Sequence, residues 1–454
     1  MRITDPSPFD VTPRTRVGSL AARVLVDPRD APMLALILVL GTVLLPFAAY
    51  LFLHPGYPLA LIGPYAAILL FYVGPFTGLI HEMSHRTIFR SWAKPVMHAL
   101  VLGLLAPLYG LGPSLFRTHH VGMHHPENNL ADDLTSTQPY RRDSVLGFTR
   151  YYFLFLFLTL PELLAYQRRH GHGRMMRETI RGGVLHAVLV AAAMFANWRA
   201  ALPLLIGSIA VTRFVLAAGN WAQHAFIDRE DPADPLRNST TCINTRFNHV
   251  AFNGGYHTTH HERVRAHWSE RPALLARDLE RYRSRGAVVF EGIDFGVLFL
   301  ALMTKRYAFL ARHRVLFGDA PRDQAAIVVE LRRRTEPIPL RLRDSGTRRA
   351  LAEEHEDRQT QAADAPHGGA DREESAPHRG KKSQEAPPRR EEARRRETDG
   401  ASRQTDPQEG RRGPTAQTRH VARASTGDLI ASVKDKSARR RRGPRCTPGP
   451  RPLR

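Results

Sequence analysis

Three histidines are concentrated in one short segment, Asn253-Gly254-Gly255-Tyr256-His257-Thr258-Thr259-His260-His261-Glu262. On a helix, positions i, i+3 and i+4 share one face, so His257, His260 and His261 can reach a common centre. Neutral imidazole is a common protein ligand for iron, zinc and copper. The spacing therefore predicts a metal site at this point of the chain.

Three other segments carry potential ligands four residues apart, and each lies at or shortly past the end of an apolar run. They are His81-Glu82-Met83-Ser84-His85, His119-His120-Val121-Gly122-Met123-His124-His125 and Asn220-Trp221-Ala222-Gln223-His224. His119 cannot share the helical face of His120, His124 and His125, so we expect it to support the site or the fold. Nine of the 22 histidines occupy the spaced positions, which is enough for more than one metal ion.

Two charge-free apolar runs, residues 31–53 and 59–80, are each about as long as the ~20 residues that a spanning helix needs. The segment His54-Pro55-Gly56-Tyr57-Pro58 joins them as a tight turn. Basic residues from Arg86 onward follow the second run, and such residues favour the cytoplasmic side of a membrane. The first histidine pair is therefore expected at the cytoplasmic end of the second helix.

A second hairpin is predicted from the apolar runs 184–196 and 202–219, which the turn Asn197-Trp198-Arg199-Ala200 separates. Two arginines count against it, because Arg199 lies in the turn and Arg213 lies within the second run. If the hairpin forms, Asn220 and His224 lie at its cytoplasmic end.

Two further apolar runs lie between the hairpins. Residues 96–111 are short and interrupted by proline and glycine, which indicates a re-entrant or interfacial segment. Residues 151–166 are aromatic and apolar but include Pro161 and Glu162, so they are expected at the interface or dipping into the membrane. This topology brings all four histidine segments to one side of one membrane.

These patterns predict an all-α integral membrane protein with two transmembrane helical hairpins, about four spanning helices, and a cytoplasmic helical cap that holds a histidine-rich di-metal site. Residues 1–30 are expected to form a cytoplasmic N-terminal segment, and residues 31–339 the membrane domain. Residues 340–454 contain few large apolar side chains and many Arg, Glu, Gln, Ser, Pro and Ala. A segment of this composition cannot bury enough apolar surface to offset the conformational entropy lost on ordering, so we predict a disordered basic C-terminal tail.

Charge and cysteine content exclude several classes of protein. The net charge of +22 could indicate nucleic-acid binding, but the basic residues flank apolar segments. We therefore expect contact with anionic lipid and no specific nucleic acid. Two cysteines, Cys242 and Cys446, cannot build a disulfide framework, an iron–sulfur cluster or a cysteine-based zinc site.

The segment from His81 to His85 also matches the HExxH pattern of zinc peptidases, in which Glu82 would be the general base. An intramembrane zinc peptidase would need one more ligand, and Asp234 or Asp294 could supply it. This alternative leaves the other three histidine segments unexplained. A third possibility is a metal-binding membrane protein without catalytic activity.

The combination of HxxxH at the end of a transmembrane helix, HxxxHH, Asn-x-x-x-His and HxxHH resembles the membrane fatty acid desaturase and hydroxylase superfamily, over roughly residues 30–310. The resemblance implies a di-iron centre that activates O2 and removes hydrogen from an unactivated C–H bond. It implies the following metal ligands, with Asn220 acting through water: His81, His85, His120, His124, His125, Asn220, His224, His257, His260 and His261.

The resemblance favours O2-dependent desaturation of a fatty acyl or related lipid chain, with a lipid, alkane or carotenoid hydroxylase as the nearest alternative. No dinucleotide-binding or haem-binding motif accompanies the histidines, so the electrons are expected from a separate donor such as a ferredoxin or a cytochrome b5-type protein. Five carboxylates are candidates for orienting the imidazole rings: Glu82, Glu127, Asp132, Asp228 and Glu262.

Overall fold

Long apolar helices organise the described part of this computed structural model, which comprises residues 2–54, 59–317 and 323–339. Four of them are long and apolar enough to cross a membrane: Pro28–Leu53, Ala60–His85, Val145–Arg169 and Gly173–Gln223. Together with the mostly helical backbone and the clustered histidines, they confirm the predicted fold class. The expected tail, residues 340–454, lies outside the described residues.

The first predicted hairpin corresponds to the first two of these helices. Its first arm consists of helices Ala31–Val39 and Leu45–Leu53, joined by the wider π-helical turn Leu40–Leu44. Its second arm is one helix, Leu59–His85, which continues through two prolines to the first histidine pair. The two arms pack through apolar side chains, among them the rings of Phe47 and Tyr65, whose centroids lie 5.8 Å apart. Residues 55–58 of the predicted turn lie outside the described residues.

The second predicted hairpin is formed by helix Gly173–Ala201, the π-helical turn Leu202–Gly207 and helix Ser208–Gln223. The backbone leaves the helical conformation at Asn197, with φ −155° and ψ 80°. His186 and Ile209, on either side of this break, both pack against residues 110–112, so the chain reverses direction between them. Asn197 Nδ2 donates a hydrogen bond to Phe52 O at 2.7 Å, which joins the far ends of the two hairpins.

The two apolar runs between the hairpins differ from each other. Residues 94–108 form helices Lys94–His98 and Ala106–Leu108 around the π-helical turn Ala99–Leu105, a short unit as predicted. It ends at Gly110, whose φ of +65° and close approach to Ile209 leave no room for a side chain. Helix Val145–Arg169 is longer than the predicted run 151–166, because it starts at the Ser144 cap and continues past Pro161. Its length supports a full membrane span.

The cap consists of short elements after Gln223 and of the segments near the histidines. Its two strands, Thr240–Ile243 and Val288–Glu291, pair in parallel, with Thr240 opposite Val288. The other helices are Pro8–Val11, Arg16–Ala21, Leu115–His119, His125–Glu127, Pro235–Asn238, Arg246–Val250, His257–Glu262, Arg271–Arg277, Leu279–Ser284, Phe295–Met303, Tyr307–His313 and Gln324–Arg334, with 3₁₀ turns at Ala22–Val24, Pro28–Asp30 and Trp268–Glu270.

Residues 2–30 pack against this cap. Asp5 accepts hydrogen bonds from the Asn244 backbone and from Tyr256 Oη at 2.6 and 2.7 Å. Asp30 pairs with Arg86 at 2.9 Å and accepts from Trp268 Nε1 at 3.0 Å. The N-terminal segment therefore helps to hold the elements that carry the histidines.

Candidate metal centre

The nine spaced histidines come together in the structure as two groups, and the ligand atoms within each group lie within 4.8 Å of one another. The five-histidine group contains His81, His85, His120, His125 and His260. The four-histidine group contains His124, His224, His257 and His261. The groups are in contact, because the ring centroids of His125 and His261 are 4.6 Å apart.

The backbone explains how each histidine segment is divided between the groups. His120–His124 is a π-helical turn, in which residues five apart share a face, so His120 and His125 belong to one group and His124 to the other. His257 and His261 lie together, with centroids 4.4 Å apart, whereas His257 and His260 are 6.5 Å apart. The expectation that His257, His260 and His261 reach one common centre is therefore wrong, because His260 lies in the five-histidine group and the other two lie in the four-histidine group.

The last histidine segment is positioned by the residues before it. Gly255 crosses strand Thr240–Ile243 so closely that a Cβ there would collide with the carbonyl oxygen of Cys242. Asn248 Oδ1 accepts a hydrogen bond from Gly255 N at 2.8 Å. Asn253, in the left-handed region with φ 50°, donates from Nδ2 to Pro6 O at 2.8 Å. These contacts fix where helix His257–Glu262 begins.

In the five-histidine group, the Nε2 atoms converge. His260 Nε2 lies 2.9 Å from His81 Nε2 and 2.9 Å from His125 Nε2, which in turn lies 3.0 Å from His120 Nε2. His85 Nε2 is buried and has no hydrogen-bond partner. A buried nitrogen without a partner is unusual unless it binds something.

In the four-histidine group, Nδ1 contacts leave Nε2 free for a metal ion. His224 Nδ1 donates to Asn238 O at 2.9 Å, and His224 Nε2 lies 3.1 Å from His257 Nε2. His124 Nδ1 donates to Asp133 Oδ2 at 2.8 Å. His261 Nε2 is buried without a partner. Acceptors on Nδ1 are how proteins usually orient a metal-binding imidazole.

Burial keeps six of these imidazoles neutral, which is the form that binds metal ions. It lowers the pKa of His224 to about 3. It also lowers, well below the ordinary value, the pKa of the five histidines His120, His125, His257, His260 and His261.

The two groups fit two metal ions. Two nitrogens at roughly right angles around an ion, with bonds of about 2.0–2.1 Å, lie about 3 Å apart. The Nε2 pairs of both groups have this separation, and each group contributes one buried Nε2 atom without a partner. All candidate donors in both groups are imidazole nitrogens, a set that suits iron, zinc or copper.

Among the expected orienting carboxylates, Glu82 contacts one of the nine histidines, since its Oε1 lies 3.4 Å from His81 Nδ1. Arg271 contacts both Glu82 and His260, with Nη2 3.3 Å from His260 Nδ1. Three others interact elsewhere: Glu127 with Tyr166, Asp228 with Arg237 and Arg334, and Glu262 with Arg281. Asp132 lies near Glu127 and His170 in a separate small group.

Asp133 and Asn238 are the orienting residues that the sequence did not reveal. Burial alone would raise the pKa of Asp133, but the interaction with His124 and the hydrogen bond from Thr135 outweigh it and hold that pKa at about 2. Asp133 therefore remains an anionic acceptor. No spacing distinguished it from Asp132, and Asn238 acts through its backbone oxygen, which any residue could supply.

A cavity of about 200 Å³ adjoins both groups. His81, His120 and His260 line it from one group, and His124 and His257 from the other. The lining also includes six large apolar side chains: Leu115, Phe116, Phe155, Leu216, Phe247 and Phe252.

Asn220 also lines this cavity. Its Nδ2 donates to Thr135 O and to Tyr151 Oη, both at 2.9 Å. Because both amide hydrogens are engaged, Oδ1 is the atom left to accept a hydrogen bond from a ligand or water.

A family model described as fatty acid desaturase matches residues 55–292, more than half of the chain. All nine histidines and Asn220 fall within the matched residues. Neither a curated protein nor a solved structure matches the chain.

Proposed function

The chain belongs to the fatty acid desaturase family, and on that premise we propose that it catalyses O2-dependent desaturation of a fatty acyl or related lipid chain. The observation that carries the proposal is the pair of adjoining histidine groups that line one mostly apolar cavity. A cavity with apolar walls suits a hydrocarbon chain, and the histidines line it where a C–H bond would react.

Two iron ions are the proposed occupants, one held by the five-histidine group and one by the four-histidine group. When bound, they supply the activation of O2 and the removal of hydrogen. Asp133 and the Asn238 carbonyl hold His124 and His224 in the tautomer that presents Nε2. Asn220 Oδ1 is proposed to hold a water molecule beside the four-histidine group.

The proposed reaction needs two electrons from an external donor to balance. Two hydrogens leave neighbouring carbons and a double bond forms, while O2 takes up these hydrogens, two electrons and two protons to give two water molecules. The electrons are proposed to come from a separate redox protein such as a ferredoxin or a cytochrome b5-type protein. We further propose a multi-pass membrane location with the centre on the cytoplasmic side.

Hydroxylation is the nearest alternative, since it begins with the same removal of hydrogen. The zinc peptidase alternative has less support. Glu82, which would be its general base, contacts Arg271, Arg86 and His81 and is only 1% exposed. The two histidines of its motif also share their group with three others.

The test is lipid profiling by mass spectrometry of cells that express the wild-type protein, H261A or H249A. His249 is exposed and outside both groups, so H249A is the matched control. We expect lipids lighter by two hydrogen atoms with the wild type and H249A, and none with H261A. Products heavier by one oxygen atom would identify the hydroxylase, and unchanged lipids with all three proteins under aerobic, reducing conditions would refute the proposal.

A further inference from the structure

Arg213 lies within the apolar helix Ser208–Gln223, where a charged side chain is costly. Its Nη1 donates to Phe155 O at 3.2 Å, and its Nε is buried without a hydrogen-bond partner. No carboxylate pairs with it in the part of the chain that the structure describes. Intramembrane arginines usually face a partner or a polar cavity, so its unbalanced charge requires an explanation.

Two histidines beside Arg213 also have buried nitrogens without partners. These atoms are His119 Nε2 and both ring nitrogens of His186. The Arg213 guanidinium carbon lies 5.7 Å from the centroid of the Phe155 ring, and the His119 ring lies 6.3 Å from the same centroid. Arg213 interacts electrostatically with both histidines. We call Arg213, His119 and His186 the basic cluster.

The basic cluster adjoins the cavity of the metal centre. Arg213 and His119 line that cavity directly, and His186 packs behind Gly112, another lining residue. Arg213, Leu216 and Asn220 lie at i, i+3 and i+7 on one helix face, and all three line the cavity. Seven residues correspond to about 10 Å along a helix, so Arg213 and Asn220 lie well apart along this wall.

We propose that the basic cluster binds an anionic oxygen group of the substrate, a carboxylate, inside the cavity. A carboxylate accepts two hydrogen bonds from a guanidinium and neutralises its charge, whereas water can supply only the hydrogen bonds. The hydrocarbon part of the substrate then extends from Arg213 towards Asn220 and the histidines, so the reacting C–H bond lies several carbons from the carboxylate. This inference rests on the proposed function, because it assigns the substrate of the same cavity.

The test is equilibrium binding of palmitate and of hexadecanol, a neutral chain of equal length, to the purified full-length protein under anaerobic conditions. The variants are R213M, R213K and the control R199M, which removes an exposed arginine near the turn of the same hairpin. A charge-assisted contact predicts that the wild type binds palmitate about tenfold or more tightly than hexadecanol. R199M should keep this preference, R213K should keep part of it and R213M should lose it.

Equal binding of palmitate by R213M and the wild type would overturn the inference. If R213M does not fold, the wild-type protein alone tests the inference. Equal affinity of the wild type for palmitate and hexadecanol would also overturn it. Binding under anaerobic conditions is measured without catalysis, so it is independent of the proposed reaction. A protein that binds palmitate through Arg213 but yields no modified lipid would therefore refute the proposed function and leave the binding site in place.

Discussion

The Nε2 atoms of His224 and His257 lie 3.1 Å apart, although 33 positions of sequence separate the two residues. His224 follows the last residue of helix Ser208–Gln223, and its backbone N still bonds to Asn220 O at 3.0 Å. The end of an apolar helix therefore lies next to the short cap helix His257–Glu262. A metal ion bound to both rings would link these two elements.

This relationship predicts that H224A loses activity and about one metal ion per chain, as H257A does. N220A should lose activity but keep more of its metal, because a bond through water contributes less than a direct one. Metal analysis of the three purified variants checks this. If H224A retained the wild-type metal content, His224 would be a helix-capping residue and no ligand.

Asp133 is predicted to act through His124. D133N keeps the shape of the side chain but removes the anionic acceptor of His124 Nδ1. Loss of such an acceptor typically lowers metal affinity about 10–100-fold, so we expect this loss at the four-histidine group. The matched control is D132N, which changes the neighbouring carboxylate. Metal titration followed by competition with a chelator measures the affinities, and equal effects of the two variants would contradict the assigned role.

Arg142 is predicted to hold the cap together. It is fully buried, and burial lowers its pKa to about 9. Its guanidinium donates to six backbone carbonyl oxygens: those of Thr137, Gln138, Tyr140, Ala225, Arg334 and Glu336. R142M leaves these acceptors unsatisfied and should destabilise the protein by on the order of 3–5 kcal/mol. A thermal melt of R142M beside R141M, which removes an exposed neighbour, tests this; equal melting temperatures would refute it.

The domain boundary predicts how far the chain can be shortened. Arg142 donates to Glu336 O at 2.6 Å, and Ile338 N donates to Gln138 O at 2.8 Å. A chain that ends at Pro339 should therefore keep its melting temperature and metal content, whereas one that ends at Thr335 should melt lower. Loss of metal from the chain that ends at Pro339 would show that residues 340–454 belong to the domain.

Spacing in the sequence predicted which histidines meet, because helical periodicity and the apolar runs together restrict where they can lie. It did not predict their division into two groups, since the π-helical turn His120–His124 has no sequence signature that separates it from an α-helix. Asp133 and Asn238 depend on tertiary contacts that no local pattern encodes. Arg213 counted against the second hairpin in the sequence, whereas the structure shows it lining the cavity.

Metal analysis of the purified wild-type protein, without added metal, tests the central claim most directly. The two histidine groups predict about two iron ions per chain, with about one lost in H261A and none lost in the control H249A. Active protein that contains one zinc ion and no iron would contradict the di-iron account.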